Sequence, residues 1–123
     1  MTITPYYILP SLYVLELESD YETAKRLGEP TEGMSKSYNI YCGVTMDLSK
    51  RLSQHFNNQG SHWTKFHKPI KVRMILIGDH INEKYENEIT LKIMKKMESC
   101  GSTWSRVRGG SWTSINCKKP SKL

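Results

Sequence analysis

The chain has 123 residues and a mass of 14.3 kDa, enough to bury one hydrophobic core but not two. No apolar run approaches the ~18 residues that a helical membrane span needs, so a soluble protein is expected. The net charge is +6 and unevenly spread: residues 1–34 carry 6 Asp and Glu against 2 Lys and Arg, and the remainder carries 16 Lys and Arg against 6 Asp and Glu.

The opening stretch "MTITPYYILPSLYVLELES" has neither the basic flank nor the small-residue cleavage site of a signal peptide, and Pro5 and Pro10 break its apolar part. An intracellular, cytoplasmic protein is therefore expected. "LYVLELES", from Leu12, predicts a short buried strand. The polar segment from Asp20 to Lys36, with Gly28, Pro30 and Gly33, reads as a loop holding at most a helical turn in "YETAKRL". "YNIYCGV", from Tyr38, predicts a second strand. Thr45 or Asp47 can cap the helix that follows, which runs to about Asn57 with Leu48, Leu52 and Phe56 as its buried stripe.

"NNQGSHWTKFHKP" reads as a loop, broken at Gly60 and Pro69, and "IKVRMILIGD", from Ile70, predicts a third strand. A helix is expected from about Asn82 to Glu98, with Tyr85, Ile89 and Ile93 on one stripe. The remainder has Gly101, Gly109 and Gly110 and no helical period. This order predicts one α+β domain over residues 1–123: a small three-stranded, mainly antiparallel sheet flanked by helices, with 113–123 a flexible basic tail.

Cys42, Cys100 and Cys117 are too widely spaced for a zinc pattern and read as free thiols in a reducing compartment. From Lys92 onward only Glu98 opposes 8 Lys and Arg. Such a basic region suits a polyanionic partner, nucleic acid above all, although a solvated basic face also serves solubility. Arg51 and His55 lie four apart and share a helix face bordering the Leu48/Leu52/Phe56 stripe. Their helix starts just after Gly43, which allows close approach of another group. Tyr41 and Tyr13 project toward the same ground if their strands pair.

In "NIYCGVTMDLSKRLSQHF", Tyr41-Cys42-Gly43, the Thr-x-Asp-Leu run, Arg51 and His55 together resemble the GIY-YIG nucleases. Ser11-Leu12-Tyr13 stands at the first motif, of which only the Tyr is kept. "GSHWTKFHKPIKV" is similar to the family's Trp-Thr-Lys segment, and "YENEITLKIMKKM" to its metal-binding helix, where Glu-x-x-Leu-Lys selects Glu88, with Glu86 the fallback. "RVRGGSW" resembles the ending of family members from large viruses and mobile elements.

The resemblance implies a metal-dependent endonuclease that hydrolyses phosphodiester bonds in DNA, with RNA the less expected substrate. The alternative on the same fold is a nucleic-acid-binding module that does not cut. The implied catalytic set is Tyr13, Tyr41, Arg51, His55 and Glu88, with Glu88 holding a single Mg²⁺ or Mn²⁺. Tyr13 is the implied general base, although Tyr41 or His55 can also take the proton. Phosphate contacts are expected from Lys65, Lys92, Lys95, Lys96, Arg106 and Arg108. Trp63 is expected either to stack on a base or to sit in the core.

Overall fold

Alternation of side chains along the strand Ser11–Leu17 (β1) sends Leu12 and Val14 to one face of a sheet and Tyr13, Leu15 and Leu17 to the other, and all five are buried. A strand apolar on both faces needs cover on both, and the fold supplies it. The computed structural model describes residues 9–99 and 107–109. Beyond β1 these form α1 (Asp20–Leu27), β2 (Asn39–Thr45), α2 (Leu48–Phe56), α3 (His62–Phe66), β3 (Pro69–Ile77), α4 (Glu83–Ser99) and β4 (Val107–Gly109). No helix among the described residues is long and apolar enough to cross a membrane.

The sheet has four strands in the order β3-β1-β2-β4. β1 runs antiparallel to both neighbours, and β4 lies parallel to β2, pairing Ile40 with Val107, Tyr41 with Arg108 and Cys42 with Gly109. The expected three-stranded antiparallel sheet is thus corrected to a four-stranded mixed one. A three-residue strand is too short to show a period, and its pairing with β2 is a long-range contact.

One apolar layer joins Leu12, Val14, Ile40, Cys42 and Val107 of the sheet to Ile81, Met94 and the half-buried Tyr85, Ile89 and Ile93. The opposite layer gathers Tyr13, Leu15, Leu17, Tyr41 and Trp63, with Leu48, Leu52 and Val72 packed against it. Between Val14 and Leu15 the pairing of β1 with β3 slips by one residue, so that Arg73 bulges out, donating to Glu16 at 3.1 Å and lying over the Tyr38 ring.

Two helices lie in segments read from sequence as loops. α1 is framed by Ser19, whose hydroxyl accepts from the Glu22 N–H at 3.1 Å, and by Gly28 in the left-handed conformation at φ 71°. α3 starts at Ser61, which caps the Thr64 N–H at 3.3 Å. Of the two expected caps for α2, Asp47 takes the role, accepting from the Lys50 N–H at 3.2 Å. The inward stripe of α2 differs from the expected one: Phe56 is exposed and His55 is buried beside Leu48 and Leu52.

Candidate active site

Cross-strand pairing sets Tyr13 of β1 directly opposite Gly43 of β2. The Tyr13 phenol occupies the volume a side chain at 43 would need, and a Cβ there would also lie 3.0 Å from the Tyr41 ring. A glycine is required at this position by close approach, not by an unusual backbone angle. It lets the two tyrosine rings sit with centroids 6.2 Å apart on one face of the sheet.

α2 then lays His55 against both rings, at 5.5 Å from Tyr13 and 5.1 Å from Tyr41. His55 Nε2 is 2.7 Å from the Tyr13 hydroxyl, and its Nδ1 is 2.9 Å from Thr64 Oγ1 of α3. The hydroxyl of Thr64 in turn donates to the Ser61 carbonyl at 3.1 Å. Gly60 closes the far edge of the ring, since a side chain there would collide with Nδ1. His55 is 1% exposed, a core position rather than the border position expected from the helix face.

Burial, and then the Arg51 charge, push the His55 imidazole down to about 4, so it is neutral at physiological pH. Burial raises the Tyr13 phenol well above its ordinary value. Tyr41 adds to that rise, and Arg51 opposes it without cancelling it. Tyr41 is raised by burial too, against hydrogen bonding from Ser61 and the Arg51 charge. Arg51 is half-buried, donates to Gln54 at 3.1 Å and interacts with both phenols.

The α4 carboxylate whose charge reaches this cluster is Glu86. It is half-buried and its charge is felt at Tyr13, Tyr41 and Cys42. Burial raises its pKa, the Val44 N–H opposes by hydrogen bonding, and Glu83 adds repulsion. Glu88, the residue selected from the sequence, is exposed. Two residues along a helix turn the side chain by about 200°, so only one of the pair can face the tyrosines. The structure brings together Tyr13, Tyr41, Arg51 and His55, and the α4 carboxylate whose charge reaches them is Glu86, not Glu88.

Among the described residues no three His, Cys, Asp or Glu side chains are grouped to hold a metal ion. A lone half-buried carboxylate matches a hard divalent cation that keeps most of its own water, and Glu86 fits that description. The basic residues divide. Lys65, Lys92, Lys95 and Lys96 are exposed, whereas Arg106 lies outside the described residues. Arg108, expected as a phosphate contact, is 2% exposed and stacks over the Trp63 ring at 4.6 Å. Trp63 itself is a core residue, its indole N–H donating to the Ile40 carbonyl at 3.1 Å.

Thr64, Ser61 and Gly60 did not stand out in the sequence as site residues. Ser61 after Gly60 carried a signal, because serine is among the favoured residues that cap a helix N-terminus.

A family model described as the GIY-YIG catalytic domain matches residues 34–98, more than half of the chain. Among curated proteins, a UPF0213 protein of Fusobacterium nucleatum is 37% identical over 62 residues, covering 49% of this chain and 62% of that protein. A UPF0213 protein of Cupriavidus necator is 36% identical over 53 residues, covering 43% and 58%. One from Lactococcus lactis subsp. cremoris is 39% identical over 44 residues, covering 36% and 45%. The chain thus spans less than two thirds of the length of these relatives. No solved structure matches it. The matched span contains Tyr41, Gly43, Arg51, His55 and Glu86, and with Tyr13 paired across the sheet from Gly43 the chain belongs to the GIY-YIG catalytic domain family.

Proposed function

We propose that this protein is a metal-dependent endonuclease that hydrolyses phosphodiester bonds in DNA, using Tyr13, Tyr41, Arg51, His55 and Glu86. The observation that carries the reading is the 2.7 Å contact between the Tyr13 hydroxyl and a histidine held neutral beside an arginine.

A phenol is a poor base at neutral pH, and burial makes the Tyr13 phenolate still harder to form. The neutral His55 Nε2 removes that difficulty. As the attacking water gives its proton to the Tyr13 oxygen, the Tyr13 proton passes to Nε2, so a free phenolate need never accumulate. Water attacks phosphorus, the bond to the leaving sugar oxygen breaks, and the charge that builds on the phosphoryl oxygens faces the Arg51 guanidinium. Its fork suits two phosphate oxygens at once. Tyr41, which interacts with Arg51, would help to orient the phosphate and the water.

Glu86 would hold a single Mg²⁺ or Mn²⁺, which when bound supplies positive charge at the phosphate and the leaving oxygen. Exposed Lys65, Lys92, Lys95 and Lys96 supply phosphate contacts that set affinity more than sequence preference.

The test is incubation of end-labelled single-stranded, duplex and branched DNA, and of RNA, with Mg²⁺, Mn²⁺ or chelator. Metal-dependent nicks in DNA support the reading. Binding without cleavage on every substrate would replace it with a non-cutting nucleic-acid-binding module, and preferred cleavage of RNA would change the substrate class.

A further inference from the structure

His55 has two ring nitrogens and, when neutral, one proton to share between them. Which nitrogen carries it decides whether Tyr13 faces a proton acceptor or a second donor. Thr64 supplies the constraint. Its hydroxyl has a single proton, and the Ser61 carbonyl oxygen at 3.1 Å, which can only accept, is placed to take it. Toward His55 Nδ1, at 2.9 Å, Thr64 Oγ1 then offers only lone pairs.

The other neighbour of Thr64 Oγ1 is the Ser61 hydroxyl at 3.2 Å, and water is shut out. Thr64 and His55 are each 1% exposed, and the Gly60 backbone presses on the Nδ1 edge of the ring. Ser61 is itself anchored, capping the Thr64 N–H at 3.3 Å at the start of α3. With the Thr64 proton on the Ser61 carbonyl, the remaining contacts fall into one direction: from the Tyr13 hydroxyl to Nε2 and from Nδ1–H to Thr64 Oγ1.

We infer that Thr64 is a positioning residue for catalysis: it fixes the His55 proton on Nδ1 and so keeps Nε2 open to receive the proton of Tyr13. The role rests on the nuclease reading for its catalytic meaning, and on geometry alone for the tautomer. Thr64→Val keeps the shape of the side chain and removes the acceptor. Nδ1–H then has no partner, the proton moves to Nε2, and His55 becomes a donor to the Tyr13 oxygen. Thr64→Ser restores the acceptor.

Two measurements on the full chain test this. Ring ¹⁵N spectra near neutral pH read the tautomer directly, and wild type and Thr64→Ser should show the proton on Nδ1, with Thr64→Val shifted to Nε2. Single-turnover cleavage should fall about 100-fold in Thr64→Val, the size of a lost proton transfer, with substrate affinity within threefold, and recover to within about threefold in Thr64→Ser. A wild-type His55 protonated on Nε2 overturns the proposal even if Thr64→Val does not fold. So does a folded Thr64→Val protein that keeps the wild-type tautomer or rate. The expected tautomers in a protein that cuts neither DNA nor RNA would uphold the role of Thr64 and overturn the nuclease reading instead.

Discussion

The phenol of Tyr13 fills the space above Gly43, its partner across the β1–β2 ladder, so the site depends on an absent side chain as much as on those present. Gly43→Ala should drive the ring off His55, because the phenol is buried and cannot swing away freely. Overpacking of this kind costs ~1–3 kcal/mol of stability, measurable by urea unfolding. Single-turnover cleavage should fall at least ~100-fold as the Tyr13–His55 contact breaks. Normal rates in a folded Gly43→Ala protein would show that this contact is dispensable.

Glu86→Gln and Glu88→Gln form a paired experiment. The first removes the carboxylate charge felt at both tyrosines, and the second changes an exposed group on another face of α4. Glu86→Gln should lose all but ~1% of cleavage while still binding DNA, and Glu88→Gln should stay within about twofold, as exposed substitutions usually do. The opposite pattern would return the metal-binding role to Glu88.

Arg51→Lys preserves charge but not geometry. The guanidinium meets both phenols and Gln54 from a half-buried position, and lysine has no fork with which to hold two phosphate oxygens. Turnover should drop ~100-fold or more, with affinity for a non-cleavable duplex changed less than tenfold. Stopped single-turnover assays with parallel binding titrations separate the two.

Stability should fall in mild acid. His55 and His67 are both pushed down to about 4, chiefly by burial, while the unfolded imidazoles titrate near 6.5. Between those values the unfolded chain binds more protons, so stability is full above about pH 6.5 and is lost as pH falls toward 4. Each ring contributes at most on the order of 3 kcal/mol across that window. Urea midpoints that stay flat from pH 7 to 4 would show that these rings are charged in the folded protein. His67→Gln, which removes the ring bonded to Thr23 at 2.7 Å, should reduce the pH-dependent loss.

Affinity should be strongly salt-dependent, given the exposed lysines on α3 and α4. A plot of log K against log salt for non-cleavable DNA is expected to have a slope on the order of −3 to −6. Fluorescence anisotropy between low and physiological salt measures it, and a flat response would remove the electrostatic basis of binding.

Strands β1 to β3 and helices α2 and α4 were legible because each carries an apolar period long enough to read. α1 was not, since "DYETAKRL" has almost no apolar face and owes its helix to the Ser19 and Gly28 caps. In the site, Tyr13, Tyr41 and Arg51 were legible from motif spacing, but the depth of His55 was not. Hydrophobicity ranks Phe56 as the buried residue, and two hydrogen bonds, to Tyr13 and Thr64, reverse that order. Glu86 and Glu88 differ only in rotation about α4, which depends on packing against β2 and β4. Arg108 was misplaced because a stretch rich in Lys and Arg gives no hint that one guanidinium stacks on Trp63.

The position of β1 between β2 and β3 also holds Tyr13 more firmly than α2 holds His55 in the backbone hydrogen-bond network. Tyr13 stands on a strand paired on both sides, so its amide can exchange with solvent only when the sheet as a whole opens. His55 stands on a nine-residue helix that ends at Asn57 and is tied to the sheet through side chains. Local opening of α2 therefore costs less than opening of β1. A helix that lifts while the tyrosine stays in place would admit substrate and water, then reset the pair on closing, and hydrogen exchange should find α2 amides less protected than those of β1.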